Sequence, residues 1–105
     1  MITRALTRAG VTACLVEAQS EILGLGVRRL ALFGSVQRDT AHADSDVDLL
    51  VEFEPGLKTF DHFVALADLL ERVLSRPVEL VTAESLSPFL KPHILAEAQD
   101  VVRAS

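Results

Sequence analysis

Leu32-Phe33-Gly34-Ser35, ten residues, then Asp46-Val47-Asp48-Leu49-Leu50-Val51: this run decides how the chain reads. It has the form of a strand, a tight glycine turn, a polar loop, and a second strand that opens with two carboxylates. Successive side chains of a strand alternate faces, so Asp46 and Asp48 point the same way while Val47, Leu49, Val51 and Phe53 point the other way into a core. Two carboxylates on one strand face repel each other unless a cation lies between them. A divalent metal carrying a phosphorylated substrate suits them. The Gly34-Ser35 turn offers backbone N–H groups and a hydroxyl, the groups that cradle phosphate. The residues alone therefore lead to the expectation of a metal-dependent transferase that uses a nucleoside triphosphate.

Upstream of this stretch, Val11, Leu15, Ala18, Ile22 and Leu25 recur at three- and four-residue steps, which predicts one helix over residues 3–25. Gly26 suits its left-handed cap, and Val27 to Phe33 forms the first strand. Ser35 to Arg38 fits a short helical turn. Residues 39–45 form a polar loop, 46–53 the second strand, and Glu54-Pro55-Gly56 a turn. Downstream, Thr59 is placed to cap a helix over 60–74 whose buried stripe is Phe63, Leu66, Ala67, Leu70, Val73 and Leu74. A third strand over 78–81 follows Pro77. A last helix is expected from Ser87-Pro88, with Pro92 restarting it a turn later.

This order implies an α/β (α+β) sandwich in one domain spanning residues 1–105: a small mixed three-stranded sheet flanked by helices. Antiparallel pairing of the first two strands and a right-handed crossover to a parallel third would bring Gly34-Ser35, Asp46 and Glu79 to the same end of the sheet.

With 105 residues and half of them hydrophobic, the chain fits one compact fold and not a disordered tail. The net charge of −5 argues against a broad nucleic-acid surface. Cys14 is the only cysteine, so neither an internal disulfide nor a cysteine metal cluster is available. Charges such as Arg4 and Arg8 interrupt any signal core, and no apolar run approaches a membrane span. A cytoplasmic protein is the expectation.

The spaced motif resembles that of the DNA polymerase beta-like nucleotidyltransferases. Its flanks are closer still to the minimal nucleotidyltransferase (MNT) group of antitoxins: Phe33-Gly34-Ser35, Arg38 three residues on, Ser45-Asp46-Val47-Asp48-Leu49-Leu50-Val51, and a tail from Val78 to Ala98. The resemblance implies the nucleotidyltransferase fold. It implies that Asp46, Asp48 and Glu79 are catalytic and hold Mg²⁺, with Glu79 where the family usually has a third aspartate. Gly34, Ser35 and Arg38 would bind the phosphates of ATP, the substrate. The reaction implied is transfer of AMP to a tyrosine hydroxyl of a HEPN-family toxin, which neutralises that partner. A chain this short lacks the extra domains that hold other acceptors, so an acceptor with its own binding surface fits best. A non-catalytic antitoxin, or a stand-alone nucleotidyltransferase acting on RNA or a small molecule, are the other readings. Direct nucleic-acid binding and a membrane partner are not expected.

Plainer readings compete at each position. A lone Asp-x-Asp is usually a solvated strand end. A calcium loop starting at Asp44 fails, because Leu49 stands where glycine is needed and Pro55 where the closing glutamate belongs. Arg38 fits a surface ion pair as well as a phosphate contact, and Glu79 fits a polar strand edge. Asp39 replaces the glycine that many MNT relatives carry after the arginine; a carboxylate there either repels a triphosphate or faces water, and water is favoured. His42, His62 and His93 have no partner at metal spacing.

Overall fold

The computed structural model describes residues 6–104. The elements run α1 (Arg8–Glu17), α2 (Gln19–Gly24), β1 (Val27–Phe33), α3 (Gly34–Gln37), β2 (Val47–Phe53), α4 (Phe60–Leu74), β3 (Val78–Thr82), a 3-10 turn (Ala83–Ser85), α5 (Lys91–Glu97) and β4 (Gln99–Arg103). The sheet is mixed, in the order β3-β2-β1-β4. β1 pairs antiparallel with both β2 and β4, and β2 pairs parallel with β3.

The sheet therefore has four strands, not the three expected from sequence. β4 reads poorly because it is a short edge strand whose ends, Gln99, Asp100 and Arg103, are polar. It is fixed by the Arg29 guanidinium, which pairs with Asp100. Two helices also replace the single one expected upstream. Ala18 breaks the run with φ −98° and ψ 10°, its N–H turning back to the Leu15 and Val16 carbonyls. Val11, Leu15, Ala18 and Ile22 still bury one stripe across the break, so the apolar spacing survives while the hydrogen-bond ladder does not. Residues 3–5 of the expected helix, Arg4 among them, lie outside the described residues; α1 is capped by Thr7, whose hydroxyl accepts the Gly10 N–H at 3.0 Å.

The rest follows its sequence signals. Thr59 caps α4 by accepting the His62 N–H at 3.1 Å, and Leu66, Leu69 and Leu70 are buried beneath it. β2 buries Val47, Leu49, Val51 and Phe53 against α1, α2 and α4. Its other face contributes Leu50 to a second, smaller cluster with Ala31 and Phe33, against which Ile94 and Ala98 pack. α5 starts only at Lys91, with Pro92 in its first turn, where a missing N–H costs nothing; Ser87 to Leu90 form the turn before it. No helix among the described residues is long and apolar enough to cross a membrane.

Candidate active site

The strand register assembles the site. Phe33 pairs with Asp48, and Asp48 pairs with Glu79, so the end of β1, the start of β2 and the start of β3 form one row. Gly34 follows Phe33 immediately. Asp46 and Ser45 precede β2 on an exposed loop, which is tied down where Arg76 donates to the Ala43 carbonyl at 3.0 Å and the Ser45 hydroxyl accepts the His42 N–H at 3.0 Å.

Gly34 is there for space and for conformation. Its φ is +76°, and a Cβ at that position would stand 2.1 Å from Asp48 Oδ2. Only a residue without a side chain lets the turn and the carboxylate come this close. The Asp48 carboxyl is half-buried and its pKa is pushed up to about 6. Burial is the main cause, followed by its hydrogen bond with Glu79, the charge of Glu79 and the charge of Asp46; Arg38 acts in the opposite sense. The predicted residues thus meet: Gly34, Asp48 and Glu79 touch in sequence or register, while Asp46 and Arg38 act on Asp48 through space. Ser35 sits beside Gly34 in α3, and its carbonyl accepts the Thr40 N–H at 2.9 Å.

Two residues behave differently from their sequence reading. Asp39 neither confronts the site nor simply faces water. It adopts φ +58°, which an aspartate tolerates in place of glycine, and its carboxylate accepts the Arg8 N–H at 2.8 Å at the start of α1. Arg38 is engaged by Glu97, a residue the sequence reading passed over. Glu97 Oε2 accepts the Gly34 N–H at 3.1 Å, and Oε1 pairs with the Arg38 guanidinium. A carboxylate in the last turn of a helix opposes the helix dipole, so an acid at that end was the one available sign of a partner elsewhere.

Among the described residues no three His, Cys, Asp or Glu side chains form a ready-made metal site. Magnesium is commonly bound through carboxylates, with substrate phosphates and water completing its shell. The donor set is carboxylate oxygen, the hard ligand this ion takes. A cleft lined by Thr12, Val16, Leu32 and Val101 lies between α1 and β4 and touches none of these groups.

The raised pKa gives a stability prediction. Protonated Asp48 is favoured in the fold, so its contribution is most favourable below about pH 4 and is lost as pH rises toward about 6. Screening of a half-exposed group limits the loss to about 1 kcal/mol. A bound divalent cation removes it. Thermal melts with and without Mg²⁺ are expected to show a larger gain at pH 8 than at pH 5.

Similar proteins share this fold. The model of the nucleotidyltransferase domain family matches residues 15–101. A candidate protein adenylyltransferase of Methanocaldococcus jannaschii is 43% identical over 81 residues, covering 77% of this chain and 86% of its own. The protein adenylyltransferase MntA of Thermococcus cleftensis is 40% identical over 72 residues, covering 69% of this chain and 72% of its own. The structure of a candidate minimal nucleotidyltransferase superposes with a TM-score of 0.69 at 36% identity, over 84% of this chain and 93% of that one. More distant structures share the fold. One is a toxin–antitoxin structure with AMP-PNP, at TM-score 0.68 and 21% identity over 90% of this chain and 74% of that one. Another is the complex of a tri-AMPylated HEPN toxin with its MNT antitoxin from Shewanella oneidensis, at 0.63 and 17% over 93% and 74%. The family model and the relatives make this chain a nucleotidyltransferase. The chain belongs to the nucleotidyltransferase domain family, in its minimal nucleotidyltransferase branch.

Proposed function

We propose that this protein is a Mg²⁺-dependent adenylyltransferase that acts as an antitoxin, transferring AMP from ATP to a tyrosine hydroxyl of a HEPN-family toxin and so neutralising it. The observation that carries the chemistry is the approach of Asp48 to both the Gly34 turn and Glu79, which sets a carboxylate pair beside that turn. The likeness to MntA and to antitoxin structures supports the role and the class of partner. The free thiol Cys14 and the dependence on ATP suit the cytoplasm.

Asp46 and Asp48 would hold Mg²⁺, which when bound neutralises charge on the triphosphate and activates the acceptor hydroxyl. The Gly34 N–H, Ser35 and Arg38 bind and orient the phosphates so that the α-phosphorus faces the incoming oxygen. In-line attack forms a bond from the tyrosine oxygen to that phosphorus and breaks the bond to the bridging oxygen of pyrophosphate. The proton of the hydroxyl passes to Glu79, which serves as the base in place of holding the ion. The partner supplies both the nucleophile and the surface that positions it, and no nucleic acid takes part.

The test is incubation of the protein with its co-purified or neighbouring-gene partner, Mg²⁺ and ATP labelled at the α-phosphate, in parallel with ATP labelled at the γ-phosphate. Label is expected on a tyrosine of the partner from the α-position alone. Label on RNA or a small molecule instead would redirect the acceptor, and toxin silencing with no label would mark a binding-only antitoxin.

A further inference from the structure

Two of the three donors assigned above to the triphosphate, the Gly34 N–H and Arg38, already hold an anion that belongs to the protein. Glu97, the last residue of α5, spans them with its two oxygens: one takes the Gly34 N–H at 3.1 Å, the other pairs with Arg38. The Glu97 side chain is 24% exposed and that of Arg38 54%, so the acceptor sits inward and the guanidinium stays in water. A planar carboxylate bridging a backbone N–H and an arginine copies the contacts of two phosphate oxygens.

The Glu97 side chain itself is held by few contacts. α5 has seven residues, none of them buried, and rests on the sheet through Ile94, with Ala98 just beyond its end. The carboxylate opposes the dipole of its own helix, so nothing within α5 favours its position. What retains it is the pair of contacts with Gly34 and Arg38. A magnesium-bound triphosphate brings more charge and more oxygens to the same donors than one carboxylate does.

We propose that Glu97 is a built-in competitor for the phosphate site, which a nucleoside triphosphate must displace and which thereby sets the affinity for nucleotide. This deepens the nucleotidyltransferase reading and rests on it. Without Glu97 the site would keep its donors and lose the occupant that opposes binding.

The experiment is calorimetric titration of ATP with Mg²⁺ into the full-length wild type, Glu97→Gln, Glu97→Ala, Arg38→Gln and the Arg38→Gln/Glu97→Gln double variant, each checked for a cooperative melt. Both Glu97 single variants are expected to bind about fivefold more tightly, the upper end of what releasing one partly exposed ion pair gives. In the Arg38→Gln background the gain from Glu97→Gln should shrink to about two- to threefold, since only the Gly34 N–H remains contested. Glu97→Gln preserves size and hydrogen bonding, so it reports on charge even if Glu97→Ala melts early. Wild-type binding with equal or weaker affinity in both Glu97 single variants would overturn the competitor role and make Glu97 a positioning residue. Absence of ATP binding from all five proteins would overturn the reading of the site itself, and the proposal with it.

Discussion

Asp48→Asn is expected to lower AMP transfer by on the order of 10²–10³-fold, the usual cost of losing a charged group that stabilises the reacting phosphate. The same change is expected to stabilise the metal-free protein. Asp48 is pressed between burial and two other carboxylates, a strain that an uncharged isostere relieves. At pH 8 in EDTA the variant should therefore be more stable than wild type by about 1 kcal/mol, and at pH 5 the advantage should shrink as wild-type Asp48 takes up its proton. Opposite signs for stability and activity at one residue distinguish a functional carboxylate from a structural one. A variant that loses both would mark Asp48 as a support of the fold. Denaturant unfolding at the two pH values, beside the labelling assay, reads both.

Much of this was visible in the residues. The alternation of β2 and the caps of α4 are local signals with local causes, and both elements fell where the pattern put them. The meeting of Gly34, Asp48 and Glu79 was also legible, because strand order and direction follow from connection lengths. What stayed hidden depends on distant partners. β4 forms by pairing with β1, and its own sequence is too polar and too short to announce a strand. Glu97 meets Gly34 across 63 positions of chain, a contact that no periodicity records. Asp39 was weighed as a possible intruder on the triphosphate, yet its geometry is settled by Arg8, 31 positions earlier. Local spacing specifies elements and the register between neighbours; it says little about which side chain reaches back to close a site.

Gly34→Ala carries the second large effect. The substitution meets a backbone conformation that L-residues avoid, at a cost of about 1–2 kcal/mol. It also drives a methyl group into Asp48 Oδ2 at 2.1 Å, with Asp48 Cγ at 3.0 Å and Cβ at 3.1 Å. The carboxylate must rotate away or the turn must open, and either movement separates Asp48 from the phosphate site. Stability should fall by about 2 kcal/mol and transfer by at least the loss expected for Asp48→Asn. Gly56→Ala supplies the control. Its φ is +81°, but nothing lies within 4 Å of an added Cβ, so it bears the conformational strain alone. It should lose a similar share of backbone stability and keep its activity. Equal activity losses in the two variants would show that global softening, not displacement of Asp48, explains the Gly34 effect.

The glycine turn and the carboxylates at the starts of β2 and β3 are expected to form one magnesium–triphosphate pocket. Calorimetric titration of ATP into the wild-type protein and into Asp48→Asn, each with Mg²⁺ and again with EDTA, tests it most directly. Saturable binding is expected for the wild type with Mg²⁺, and a large loss of affinity on removing either the ion or the carboxylate. Binding of equal strength in all four titrations would contradict the claim and place the nucleotide elsewhere.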